Sequence, residues 1–153
     1  MIYIGIDPGE STGLAIWDSR QGKITIMTTT TFWGAINTIK LNSDSPTHIH
    51  VVIEDCTQNA PVFGIENTYR STKGLHANKL RAVARQGINV GTVMEKTKLM
   101  IKWLEDNNIL HSKVRPTKKS ATKLKADTFN NITKWNKRTN EHQRDAAMLV
   151  FGR

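Results

Sequence analysis

The stretch IYIGIDPGESTGLAIWD, residues Ile2 to Asp18, decides how the chain folds. Ile2, Ile4 and Ile6 alternate with Tyr3 and Gly5, the period-2 pattern of a strand. Asp7 ends that apolar run, and Pro8-Gly9 turns the chain at once. A second strand is predicted over Gly13 to Trp17. Asp18 to Gly22 reads as a hairpin connection, and the β-branched, alternating segment Lys23 to Thr31 reads as a third strand. Three successive strands on short turns are antiparallel. Asp7 therefore sits at the end of an inner strand, where an ionised carboxylate is costly unless something positive meets it.

Working outward, Trp33, Ile36, Ile39 and Lys40 have helical spacing within Phe32 to Leu41, and Ser43 to Pro46 reads as a loop. His48 to Glu54 is a predicted fourth strand. Three strands, a helix and another strand suggest a mixed sheet with the fourth strand beside the first. Thr57 to Lys73 is polar, a loop or short helix. From His76 to Asp106, Leu80, Val83, Gly87, Val90, Met94, Thr97, Ile101 and Leu104 recur three and four apart, a narrow heptad-like seam. Gly91, like Gly87, would let another backbone approach. That seam suits a helix packed on its own sheet, a dimer interface, or both. Ile109 to Val114 is a predicted fifth strand, Pro116-Thr117 opens a basic helical region, and a last helix is capped near Thr139 or Asn140. No repeat or linker divides the 153 residues, so one domain over 1–153 is expected.

Charge carries the next clue. The chain has 22 Lys and Arg against 13 Asp and Glu, a net charge of +9. Between Ser112 and Arg138 lie Lys113, Arg115, Lys118, Lys119, Lys123, Lys125, Lys134, Lys137 and Arg138, opposed only by Asp127. Such a block reads as a footprint for a polyanion, against the plain reading of a solvated basic face. Trp135 among these charges could stack on a base, although a lone Trp is more often core. Cys56 is the single cysteine, which excludes an internal disulfide and an all-cysteine zinc site. With no apolar span and no secretory leader in view, a cytoplasmic protein without membrane attachment is expected.

Glu54 closes the fourth strand much as Asp7 closes the first. If those strands are neighbours, their ends bring the two acids together, where ligand sites of such sheets gather. Val52 and Glu54 share a strand face, so Glu54 is preferred over Asp55. In the last helix, EHQRDAAMLV, His142 and Asp145 are three apart and share a face, while Ala146, Leu149 and Val150 dock it. Two carboxylates about 4 Å apart repel by roughly 4 kcal/mol at an effective dielectric near 20. Three would cost on the order of 10 kcal/mol, comparable with a domain's stability. A divalent cation removes that cost. Oxygen-rich sites favour Mg²⁺ or Mn²⁺, and a pair of such ions about 4 Å apart serves phosphodiester cleavage. Taken singly, Asp7 suits a turn and His142 a surface helix. The combination with the basic block points to a nuclease site.

These residues carry a resemblance. IGIDPGESTGLAIWD, VVIED, the Gly-containing helix KLRAVARQGINVGTV and the terminal HQRDAAMLV together resemble the RuvC-type Holliday-junction resolvases of the RNase H-like nuclease superfamily, with a phage-type member suggested by the small size. The resemblance implies an α/β, RNase H-like fold: a mixed five-stranded sheet, three antiparallel strands then parallel ones, flanked by helices. It implies a homodimer formed through the long helix around Leu80, Val83, Gly87, Val90, Gly91 and Met94. It also implies two active sites, each cutting one strand of a four-way DNA junction by metal-dependent hydrolysis. Asp7, Glu54 and Asp145 match the family's carboxylate ligands, and His142 its last metal-site position, with Mg²⁺ or Mn²⁺ expected, two ions per site. Lys118 and Lys119 fall near the family's phosphate-contacting lysines, and Lys113, Arg115, Lys123 and Lys125 extend the expected DNA surface. Residues 56–73 depart most from the family pattern. A broader branched-DNA debranching nuclease and a monomeric, YqgF-like RNA-processing nuclease are the alternatives. The opening is also similar to the phosphate loop of actin-like and sugar-kinase ATPases. Those need a second such domain to close over the nucleotide, so no nucleotide cofactor is expected. A junction-binding module without catalysis is opposed by the acid set, which would weaken DNA binding in the absence of metal.

Overall fold

Antiparallel pairing of the first three strands builds one half of the sheet. In the computed structural model, which describes residues 1–43, 49–58, 65–116 and 123–153 (backbone alone at 65–67), these are β1 (Ile2–Asp7), β2 (Thr12–Asp18) and β3 (Lys23–Thr30). Helix α1 (Phe32–Asn42) returns the chain to β4 (Ile49–Glu54), which pairs parallel with β1. Then come α2 (Ile65–Ser71), α3 (His76–Asp106), β5 (His111–Val114), α4 (Ala126–Thr133) and α5 (Glu141–Val150). The result is a five-stranded mixed sheet in the order β3-β2-β1-β4-β5, flanked by helices.

Period 2 divides the sheet's residues between two cores. Ile4, Ile6, Leu14, Ile16, Val51 and Ile53 face α1 and the C-terminal part of α3, meeting Ile36, Ile39, Met100, Ile101 and Leu104. Ala15, Trp17, Ile24 and Val52 face the other way, against Phe129 of α4 and Ala146, Ala147, Leu149 and Val150 of α5. Each fully buried Ile or Leu contributes about 2 kcal/mol. Central β1 and β4 are covered on both faces, whereas edge strand β3 is largely exposed and Thr-rich, as suits an edge open to water.

Helix ends follow their capping chemistry. Thr31 Oγ1 accepts from Gly34 N at 3.1 Å to start α1. Asn140 caps α5 with a reciprocal capping box to Gln143, and its Nδ2 donates to Thr29 Oγ1 at 2.7 Å, tying the helix start to β3.

Several expectations shift. The fifth strand begins at His111, because Asn108 takes a left-handed φ of 54° and Ile109 turns into the core as a plug. Of the polar segment 57–73, expected as a loop or short helix, the described residues form the end of a 3-10 turn at 56–58 and helix α2 at 65–71, and residues 59–64 lie outside the described residues. Residues 130–133 belong to α4, a separate helix before the last one. The loop expected over 43–46 lies mostly, and His48, Lys118 and Lys119 lie wholly, outside the described residues.

The seam on α3 splits in two. Thr97, Met100, Ile101 and Leu104 are buried under the sheet, while residues 76–96 contain no buried residue. There Leu80 is 50% exposed and Ile88 69% exposed, and a Cβ on Gly87 or Gly91 would meet nothing within 4 Å. Among the described residues no helix is long and apolar enough to cross a membrane.

Candidate active site

Register brings the first two acids together. Ile6 of β1 pairs with Ile53 of parallel β4, so Asp7 and Glu54 leave the sheet side by side, about one strand spacing apart at ~4.8 Å. Both share the face of Gly5 and Val52, which is the face α5 covers. Asp55 is spoken for. Its Oδ1 accepts from Thr57 N and Oγ1 at 3.1 and 2.6 Å, and its Oδ2 accepts from Gln58 Nε2 at 3.0 Å, so it caps the 3-10 turn. These bonds outweigh burial and hold its carboxyl below the ordinary value.

Helix α5 supplies the other two groups because two glycines let it close on the sheet. A Cβ on Gly5 would stand 2.0 Å from the Ala146 carbonyl oxygen, and one on Gly13 would stand 2.1 Å from that of His142. Any side chain at either position would lift the helix. The small Ala146 and Ala147, expected from the sequence to permit close approach, are indeed fully buried there. A glycine inside a strand signals such backbone contact, so Gly5 and Gly13 were readable and missed.

Asp7, Glu54 and Asp145 are respectively 6%, 9% and 2% exposed, too buried for bulk water to compensate three charges. His142 Nδ1 lies 2.8 Å from Asp7 Oδ2 and the imidazole is half exposed. Facing a carboxylate oxygen, Nδ1 is the donor of this pair, and in the neutral ring the lone pair then sits on Nε2. Burial, then a hydrogen bond and charge repulsion from Asp7, push the Glu54 carboxyl from 4.5 up to about 7. Burial also raises Asp145, against the opposing effect of Lys123. Lys123 Nζ donates to Asp145 Oδ2 in a short, charged contact. The other oxygen, Oδ1, is buried without a partner among the described residues.

Lys123 is thus ion-paired within the acid cluster and is not simply part of an open basic surface. Its neighbour Leu124 is anchored, packing on the second core and accepting at its carbonyl from Arg144 Nε at 2.8 Å. Lys113 comes within 3.9 Å of Glu105, whereas Lys125 starts α4. Trp135 packs against the second core with Lys137 over its ring, which places it with structure and not with an open stacking platform. Lys96 of α3 was not foreseen: its ammonium donates to Gly9 O at 3.2 Å, bracing the turn after Asp7.

Whether these residues suit a hard cation follows from what meets their oxygens. Among the described residues no group of three or more His, Cys, Asp or Glu side chains is placed to hold a metal ion as it stands. Three carboxylates are nevertheless gathered, one shares a hydrogen bond with its neighbour, one is met by an ammonium, and one oxygen has no partner among the described residues. Oxygen donors of this kind fit Mg²⁺ or Mn²⁺. No protein-family model, curated protein or solved structure matches this chain.

The raised Glu54 has a measurable consequence. A carboxyl held at about 7 against 4.5 binds its proton more tightly when folded. Its contribution to stability is full below the unfolded value and is lost as pH rises through the folded one. The whole shift corresponds to no more than about 3 kcal/mol. In EDTA the melting temperature should therefore fall from about pH 5 to about pH 8. Glu54→Gln should flatten that fall, and an undiminished fall in the variant would assign it to other groups.

Proposed function

We propose that the protein is a metal-dependent, structure-selective endodeoxyribonuclease of the RuvC type, with an RNase H-like arrangement of its sheet, that resolves four-way DNA junctions by paired strand cleavage. One observation carries the reading: Asp7, Glu54 and Asp145, remote in sequence, meet at one end of the sheet with His142 hydrogen-bonded to the first of them.

Asp7, Glu54, Asp145 and His142 would hold the divalent ions. When bound, such ions supply a polarised water and stabilise the leaving oxygen of a phosphodiester. The chain's own groups do the rest. Asp7 orients His142 through Nδ1, and the single lone pair left at Nε2 serves either one of those ions or the proton of an attacking water, not both. Exposed Lys113, Arg115 and Lys125, with Lys134, Lys137 and Arg138 further along, present positive charge to the DNA backbone. With their charge offset by such ions, the acids at the sheet end would then tolerate the phosphate that this surface holds.

Paired cleavage calls for two copies of the site. Supporting a homodimer is the unburied segment of α3 at residues 76–96, ~30 Å of helix carrying Leu80, Val83, Gly87, Val90, Gly91 and Met94. The two glycines leave room for a second helix to approach closely.

A cleavage panel tests the reading: four-way, three-way, flap and linear duplex substrates, with single-stranded RNA, each with Mg²⁺, Mn²⁺ or EDTA. Metal-dependent, symmetric nicking of the four-way junction is expected, by a species that sediments at twice the 17.2 kDa chain mass. Comparable cutting of all branched substrates would favour a debranching nuclease. Cutting of RNA by a monomer would favour the YqgF-like alternative. Metal-independent inertness on every substrate would end the nuclease reading.

A further inference from the structure

The acid cluster already contains a cation of its own. Lys123 Nζ meets Asp145 Oδ2, and its charge is felt by Glu54 and Asp7 as well. Its side chain is 41% exposed, against 3% for that of Asp145, so the ammonium enters from the solvent side onto a buried carboxylate. The pair uses one Asp145 oxygen and leaves Oδ1 buried without a partner among the described residues. An ammonium brings one charge and a directional donor. A divalent ion brings two charges and can be approached by several oxygens at once. The lysine therefore neutralises the cluster only in part, through its contact with Asp145.

We infer that Lys123 is a built-in competitor for the divalent cation: its ammonium occupies the metal position of the Asp7–Glu54–Asp145 cluster, and metal loading displaces it toward solvent. This deepens the reading of the cluster as a metal site and rests on it. The anchor at Leu124, held by Arg144 and by the second core, limits the change to the Lys123 side chain. Four methylenes give that side chain the reach to swing out without moving the backbone. The swing delivers positive charge beside the site at the moment the metal enters it, where a DNA phosphate would arrive. Metal affinity is lowered by the fraction of time the lysine holds the position. A site so closed nine-tenths of the time binds about tenfold more weakly.

The test uses the full chain and Mn²⁺ alone. Lys123→Met keeps the length of the stem and removes the charge. By calorimetry or electron paramagnetic resonance it should bind Mn²⁺ about tenfold more tightly than the native protein. Its melting temperature should be lower in EDTA and should recover when Mn²⁺ is added. Lys125→Met removes an equal charge from an exposed neighbour and should change Mn²⁺ affinity by no more than about twofold. A second measurement needs no variant: acetylation of native lysines by an amine-reactive ester, read by mass spectrometry. Mn²⁺ should raise labelling of Lys123 several-fold while Lys125 stays level. Equal or weaker Mn²⁺ binding by Lys123→Met, or Lys123 labelling indifferent to bound Mn²⁺, overturns the role of the lysine and leaves the metal site standing. No Mn²⁺ binding by either protein overturns the metal site itself. Failure on every DNA substrate with Mn²⁺ bound would instead tell against the nuclease reading alone.

Discussion

Asp7→Asn should abolish metal-dependent strand cleavage while leaving DNA binding at or above the native level. The substitution keeps size and keeps an oxygen that can accept from His142 Nδ1, so the 2.8 Å contact and the packing survive. What disappears is one negative charge and one anionic ligand at a site gathering three carboxylates within a tenth of full exposure. Cleavage should fall roughly 10³-fold or more, a loss of about 4 kcal/mol in transition-state stabilisation. Binding, measured by fluorescence anisotropy in EDTA, depends on the lysines and arginines and should not suffer, since removing an acid reduces repulsion of the phosphates. Relief of repulsion from Glu54 should also hold or raise the melting temperature in EDTA. Native-level cleavage by this variant in Mg²⁺ would remove the cluster from the chemistry.

The second large effect comes from a residue with no side chain. Gly5→Ala places a methyl 2.0 Å from the Ala146 carbonyl oxygen, 3.0 Å from its carbon and 3.3 Å from Val150 Cγ1. The first two are helix backbone and cannot rotate aside. Helix α5 must lift from β1, opening the core around Ala146, Ala147 and Val150. Overpacking of this kind costs about 3 kcal/mol, and the melting temperature should drop by roughly 10 °C. His142 and Asp145 ride on the same helix, so activity should fall with stability. The contrast with Asp7→Asn separates the roles: one variant loses cleavage without losing stability, the other loses both. A Gly5→Ala protein as stable as the native one would mean that α5 does not press on β1 as described.

Much of this arrangement is legible in local pattern. Alternation in Ile2 to Asp7 and in the run up to Glu54 marks the strands and their buried faces, because side chains in a strand change sides at every residue. The same alternation selects Glu54 over Asp55, and the hydrogen bonds from Thr57 and Gln58 give Asp55 its separate task. Three-residue spacing puts His142 and Asp145 on one side of α5, and the start of that helix at Asn140 follows from its capping box. Other features resist such reading. The start of β5 depends on what packs beneath it, as the turn at Asn108 and the buried Ile109 illustrate. The heptad-like spacing of α3 is one continuous pattern in the sequence. Only the reach of the sheet decides that it is core from Thr97 onward and open before it.

By itself, then, the order of residues determined which segments become strands and helices, which faces turn inward, and that acids stand at the ends of inner strands. Those are consequences of period, capping and turn chemistry within a few neighbouring residues. Tertiary structure decided which charges meet. Lys123 looks in sequence like one more member of a basic block, yet it is drawn onto Asp145, 22 positions away. Gly5 and Gly13 look like weak points in strands, yet they are the places where a helix backbone comes to rest. Both outcomes arise because Coulomb attraction and excluded volume act through space, between groups that the chain brings together only after its strands and helices have packed.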